Sequence, residues 1–256
     1  MPRNSRENIE SNYVHLIIQG INREYIFQKR EWKEEYIKIL KTKIENMNIE
    51  ILAYCIMDNH AHFLMYYTEL EELSSLMRKV NTTYAMRYNK INKRKGFVFR
   101  DRFFTQAILD EKQLYNCLVY IHKNPINAGI CSKMQDYYYS SYNEYTKEKV
   151  LITDQSIELL FGSKYKYIEQ FNAIHNELQE IEDIKDVMDY GYNVEEIVKK
   201  YESEIKENLS KNEEKFGRLL LEMRQKCGIS LREMSNIFNI NKDKLNKYIH
   251  KIIDNG

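Results

Sequence analysis

Two apolar runs separated by one short polar turn restrict this chain more than any other feature. Ile49-Glu50-Ile51-Leu52-Ala53-Tyr54-Cys55-Ile56-Met57 leads into Asp58-Asn59, and His60-Ala61-His62-Phe63-Leu64-Met65-Tyr66-Tyr67 follows at once. Both runs are rich in β-branched and aromatic residues, and Asp58-Asn59 is turn chemistry, so the unit reads as a β-hairpin. If the second strand opens at His60, then His60 and His62 project from the same face, because side chains alternate along a strand. Two imidazoles side by side on a rigid strand make half of a metal site. A His-x-His pair alone is a weak signal, and its meaning depends on whether other ligands come near.

A second stretch, Tyr120-Ile121-His122-Lys123-Asn124-Pro125, supplies candidates. Glu111 to Lys123 has the pattern of a helix with acids at its start, and Pro125 disfavours helical geometry at Asn124, so the helix is expected to stop there. Tyr120 and Asn124, four residues apart, share a helix face. Asn124 offers a neutral oxygen that completes a His60, His62 and Asn124 site for a divalent cation. Such a mixed nitrogen and oxygen set suits Mn2+ and tolerates Mg2+, and leaves positions open for substrate oxygens. A phenol with a pKa of about 10 is a poor nucleophile at neutral pH. A cation on the non-bridging oxygen of a phosphodiester would make attack by Tyr120 feasible. The products would be a phosphotyrosine link and a free 3′-hydroxyl, and the reverse reaction on another strand would join DNA without ATP. Tyr115 is the rival nucleophile, but four residues on stands Val119, so it reads as packing. His15, on a first strand that would neighbour the third, could approach His60 and His62 but reads better as packing. A zinc hydrolase built on His60 and His62 is disfavoured, because catalytic zinc ordinarily has three His, Asp, Glu or Cys ligands.

Around these stretches the element order is β-α-β-β-α-β-α. A strand spans Asn12 to Gln19, helices run from about Arg30 to Met47 and Leu70 to Asn89, and one strand lies within Phe97 to Ile108. The first six elements match a ferredoxin-like antiparallel sheet with helices, an α+β fold in which the first and third strands are central neighbours. Arg78 to Arg102 holds nine basic residues and one acid. Within it Arg100 and Arg102 alternate with Phe99, Phe103 and Phe104, as a single-strand groove of guanidinium groups and stacking rings requires. Most of those rings are expected in the core, and Arg102 is the better DNA contact of the two.

After residue 150 the composition changes. Thr153 or Asp154 can cap a short helix through Phe161, stopped by Gly162. Residues 175–214 carry five basic and thirteen acidic side chains, whereas 215–256 carry nine and four. Helices at Arg218 to Lys226, Leu231 to Phe238 and Lys242 to Lys251, the last presenting Lys242, Lys244 and Lys247, read as a helix-turn-helix for duplex DNA. A small helical oligomerisation bundle is the alternative. The division is therefore 1–150, an acidic helical connector 151–214, and 215–256. No apolar run nears the ~20 residues of a membrane span, and Met1 to Arg6 leads into no apolar signal segment. Four widely spaced cysteines fit a reducing compartment, so a cytoplasmic, nucleoid-associated protein is expected.

Tyr13-Val14-His15, Ala53 to Met57, Asn59-His60-Ala61-His62, Gly96-Phe97-Val98-Phe99 with Arg102, Tyr120 to Pro125 and Ser140-Ser141-Tyr142 form an ordered string. In it the chain resembles the one-tyrosine HUH transposases, most closely the REP-associated tyrosine transposases, over about residues 2–145. The resemblance implies that His60 and His62 hold a divalent metal, Mg2+ or Mn2+, that Asn124 completes its shell, and that Tyr120 is the nucleophile. It also implies cutting and rejoining of single-stranded DNA near hairpins. Gln19 stands where the family often has Arg, which removes a possible phosphate ligand. Asp58 stands where the family often has Pro, and the C-terminal helices lie outside the shared region. A different class of protein, a catalytically idle DNA-binding regulator acting through the helix-turn-helix, is the alternative. Both a monomer and a homodimer are compatible with the sequence.

Overall fold

A computed structural model of the chain describes residues 11–100, 103–178 and 184, with 216, 217, 220, 234, 235, 238 and 240–253, side chains extending to Ile249. It divides into two compact units, Met1–Ile184 and Lys185–Gly256.

The first unit is built on a four-stranded antiparallel sheet in the order β2-β3-β1-β4. The hairpin strands are β2 (Ile49–Ile56) and β3 (His60–Tyr67), and the Met57 amide donates to the His60 carbonyl at 2.9 Å to close the turn. β1 (Tyr13–Gln19) lies beside β3, so the first and third strands are the central pair, as the element order requires. Residues directly opposite across an antiparallel pair share a face. Leu16 opposes Phe63 and Ile17 opposes His62, which assigns the two faces of the central pair.

Helices α1 (Arg30–Ile44) and α2 (Leu70–Ile91) cover the Phe63 face. The ring of Tyr36 on α1 packs 6.1 Å from Phe63 and 5.3 Å from Tyr84 on α2. Each of these buried tyrosines keeps its hydroxyl bonded, Tyr36 to Asn81 at 2.8 Å and Tyr84 to the Ile26 carbonyl at 2.6 Å. Burying side chains of this size is worth about 1.5–3 kcal/mol each.

The opposite face carries α3 (Glu111–Asn127), and here the expected helix end is overturned. The helix runs through Pro125. Its end is set by Gly129, whose φ of 68° suits glycine. The Gly129 amide donates to the Ile126 carbonyl and the Ile130 amide to the Pro125 carbonyl, at 2.8 and 2.9 Å. Pro125 is buried and sits in the last turn, so one absent N–H costs less than the packing and the glycine stop return. The N-terminus is as expected, with the Asp110 carboxylate accepting from the Gln113 amide at 2.7 Å.

The strand expected within Phe97–Ile108 is short. β4 covers only Phe104–Ala107, and upstream a single bridge joins Phe99 to Gly20. Phe99 and Phe103 are buried where Phe97 is 82% exposed, so those two rings serve the core and not a groove.

The first unit continues past residue 150. Thr153 caps α4 (Asp154–Phe161) in a capping box with Ser156, Gly162 ends it, and α5 (Tyr167–Glu177) follows. Ile157, Leu160 and Phe171 join the same core as the sheet. Among the described residues no helix is long and apolar enough to cross a membrane.

In the second unit, α6 (Lys242–Ile253) buries Leu245 and Ile249 and leaves Lys242, Lys244 and Lys247 exposed. Phe216 packs 5.7 Å from Phe238 and 5.4 Å from Tyr248. The two preceding helices of the expected helix-turn-helix lie largely outside the described residues, as does most of 179–214.

Candidate active site

Strand alternation and sheet register assemble the site on the α3 face. His60 and His62 do project together from the start of β3, their rings 4.8 Å apart and perpendicular. His15 joins them, which corrects its reading as packing alone. It stands diagonal to His62 across the β1–β3 pair, within reach of ring side chains. His15 Nε2 lies 3.0 Å from His62 Nδ1 with the rings stacked. Tyr120 on α3 meets this group edge-on, 5.5 Å from the His62 ring and 5.8 Å from His15. The Tyr120 hydroxyl, His15 Nδ1 and the Nε2 atoms of His60 and His62 are all shut off from solvent.

The hydrogen bonds orient the imidazoles for ligation. His60 Nδ1 sits 2.6 Å from the Asn59 side-chain oxygen, which can only accept, so Nδ1 carries the proton and Nε2 a lone pair. No pure acceptor fixes the His15–His62 bond, and His62 Nε2 carries a lone pair in the tautomer in which His62 Nδ1 is the donor. A second partner fixing the tautomer of a histidine is the usual support for a ligating imidazole. Burial, followed by the fields of His60 and His15, holds His62 well below the ordinary imidazole pKa, in the neutral form that a metal needs. Asn124 lies one turn beyond Tyr120, buried, with its amide nitrogen donating to the Tyr120 carbonyl at 3.3 Å. That bond leaves the side-chain oxygen as the atom Asn124 could offer a cation. Among the described residues no three His, Cys, Asp or Glu side chains are arranged to hold a metal. The donor chemistry fits a hard divalent ion better than zinc.

Tyr115 is packing, as read. Its hydroxyl reaches the Leu160 carbonyl and Glu111 at 3.0 Å and its ring stacks on Phe161. Burial first, then Glu111, pushes its pKa up to about 12. Arg100 is held at the end of β1, its amide donating to the Gln19 carbonyl at 2.8 Å and its guanidinium to the Gln19 side-chain oxygen at 3.3 Å. Gln19 pairs across the sheet with His60, so Arg100 is anchored at the histidine end of the strand. Gln19 therefore orients a cation, a role that the simple substitution of Arg by Gln does not suggest. Arg102 lies outside the described residues. Lys242, Lys244 and Lys247 belong to the second unit.

Ser140-Ser141-Tyr142 also has a structural account. Ser141 Oγ accepts from the Tyr54 amide at 2.9 Å and bonds His122 Nε2 at 2.8 Å, linking the β2 edge to α3.

Sheet, paired histidines and helical phenol together define an α+β domain with a histidine–tyrosine centre. The family model for IS200-like transposases matches residues 8–124, which span β1 to Asn124 and include every residue of that centre. Over those residues the chain is similar to the IS200-like transposases. The chain is also similar to a REP-associated tyrosine transposase of Haemophilus influenzae, 25% identical over 152 residues that cover 56% of this chain and 85% of the relative. Among solved structures it is similar to a REP-associated tyrosine transposase bound to a REP hairpin (TM-score 0.48, 18% identity, 56% of this chain and 84% of that one). A transposase from Deinococcus radiodurans is more distant (TM-score 0.33, 14% identity, 43% and 89% coverage).

Proposed function

We propose that this chain is a transposase that cleaves and rejoins hairpin-bearing single-stranded DNA, with Tyr120 as the nucleophile. The observation that carries the reading is the edge-on packing of Tyr120 against His62 and His15, inside the family-matched domain. The Tyr120 oxygen bonds to phosphorus, the bond to the 3′ oxygen breaks, and that oxygen leaves as a hydroxyl, giving a 5′-phosphotyrosine. His60, His62 and Asn124 would hold Mg2+ or Mn2+, which when bound supplies charge neutralisation at the scissile phosphate. His15 and Asn59 orient the two imidazoles. Arg100, held by Gln19, offers a guanidinium near the histidine end of the site. Because the Tyr120 hydroxyl is covered, DNA must displace what covers it.

The test is a labelled single strand carrying a hairpin, incubated with the protein and Mn2+ or Mg2+ and resolved under denaturing conditions. A covalent band is expected, and removal of the divalent ion with a chelator should eliminate it. His62→Ala should weaken Mn2+ binding, read directly by titration calorimetry, by about 10–100-fold or more. Unchanged Mn2+ binding in that variant would place the cation elsewhere.

The second unit supports a duplex contact. Leu245 and Ile249 are buried on one side of α6, and at about 100° per residue Lys244 and Lys247 lie about 60° apart on the opposite side, with Lys242 exposed at the first residue of the helix. Replacing the three lysines with Gln should weaken duplex binding and flatten its salt dependence, by about 0.9 log units of slope for each phosphate no longer neutralised. An unaltered slope would remove α6 from DNA.

A further inference from the structure

The back of α3 carries contacts that the proposed chemistry does not use. At about 100° per residue, Tyr115 and His122 lie nearly opposite Tyr120 and Asn124 on the helix. Elements beyond residue 124, outside the family-matched region, meet the helix at two levels, chiefly on that back face. Near the start, Tyr115 bonds the Leu160 carbonyl of α4, and Gln170 of α5 donates to the Tyr115 hydroxyl at 3.1 Å. Near the end, His122 Nδ1 lies 2.8 Å from His175 Nε2, with the rings stacked at 5.1 Å, and Lys123 donates to the Leu178 carbonyl at 2.6 Å.

The protons in this chain of bonds are ordered by an acceptor at its far end. His175 Nδ1 is 2.8 Å from the Phe171 carbonyl, which can only accept, so His175 Nε2 is bare. His122 Nδ1–H therefore donates to it, His122 Nε2 accepts from the Ser141 hydroxyl, and Ser141 accepts from the Tyr54 amide. Ser141 both donates to His122 and accepts from the Tyr54 amide, its oxygen also lying 3.3 Å from the Tyr54 carbonyl, and the bonds run from α5 through α3 to β2. His122 is wholly buried and His175 nearly so. Such a network fixes position in a way that apolar packing, which tolerates sliding, does not.

We infer that α5 is a clamp on the nucleophile helix, with His175 as a positioning residue that sets the placement of Tyr120 and Asn124 through His122. The inference rests on the reading of Tyr120 as nucleophile. His175 touches neither DNA nor the reacting atoms in this account. It acts on the rate by holding α3, because a misplacement of about 1 Å can cost a factor of about 100.

The experiment uses the full chain and compares wild type, His175→Ala and His175→Gln. Three readouts are taken: hydrogen exchange of amides across 111–127, affinity for the hairpin oligonucleotide, and the single-turnover rate of covalent adduct formation in Mn2+. His175→Ala should speed exchange in the second half of α3, leave affinity within about twofold, and slow adduct formation about 10–100-fold. His175→Gln keeps an acceptor for His122 Nδ1–H, and should recover most of the rate. Unchanged exchange in α3 overturns the clamp, as does faster exchange with an unchanged rate. Faster exchange spread evenly over the unit also overturns it, since that marks general loosening. If the wild type forms no adduct, the nucleophile assignment fails, and exchange confined to α3 still decides whether α5 holds that helix.

Discussion

Tyr120→Phe is expected to abolish covalent attachment of DNA while leaving hairpin affinity within about twofold. The substitution removes one oxygen and keeps the ring that packs against His15 and His62. The fold should be little affected, with a stability change of about 1 kcal/mol or less, because the deleted atom is a single buried hydroxyl. Chemistry should fall below detection, because the phenol packed on His62 and His15 is the group removed. A denaturing gel with labelled oligonucleotide reads the outcome, and peptide mass mapping identifies the attached residue. Persistence of the adduct in the variant would end the assignment. Tyr115 would be a poor successor, since its hydroxyl is engaged by Glu111, Gln170 and the Leu160 carbonyl on the far side of the helix. Loss of binding together with the adduct would mean that the phenol serves recognition rather than attack.

Much of the site can be read from spacing because local geometry decides it. Alternation along β3 aligns His60 with His62, and a four-residue step on a helix aligns Tyr120 with Asn124, with no knowledge of the rest of the fold. His15 is different. Its place beside His62 depends on the register of β1 against β3, which nothing local to Tyr13–Gln19 specifies. Gln19 and Arg100 meet for the same kind of reason, through a pairing of segments 81 residues apart. Pro125 misled because its effect on the preceding residue competes with a stronger signal, the Gly129 stop one turn later. β4 is shorter than its aromatic run suggests because Phe99 and Phe103 are buried for packing, and a run of large rings does not distinguish strand from core-facing loop.

The least legible feature is the docking of α4 and α5, since polar composition after residue 150 reads as a connector. What fastens them is a buried carboxylate. Glu144 is 4% exposed, and its Oε2 accepts from three successive amides, Val150 at 2.7 Å, Leu151 at 2.8 Å and Ile152 at 2.9 Å. Its other oxygen accepts from the Tyr54 hydroxyl of β2. The segment leading into α4 is thereby folded around one anionic oxygen and tied to the sheet. Glu50 adds a second tie by accepting from Ser156 at 2.8 Å, next to the Thr153 cap.

Glu144→Ala should therefore cost about 3–5 kcal/mol, because it leaves three backbone donors and a phenol buried without their acceptor. That is a large share of the roughly 5–15 kcal/mol that holds a domain together. Glu144→Gln keeps the shape and one acceptor oxygen, which can face the three amides while its NH2 group donates to the Tyr54 oxygen. The charge-assisted part is removed and the buried Tyr54 hydroxyl loses its acceptor, so the cost should be about 2–3 kcal/mol. Urea denaturation of the three proteins, followed by tyrosine or far-ultraviolet signal, measures both. A loss under about 1 kcal/mol in Glu144→Ala would show that water satisfies the amides and that the carboxylate is not the fastening. The order of the two variants separates mechanisms. If Gln is as damaging as Ala, the negative charge organises the turn. If Gln is nearly neutral, the acceptor geometry does. In either case α4 and α5 reach α3 through this root, so the Ala variant should also raise hydrogen exchange across 154–177 before the sheet itself opens.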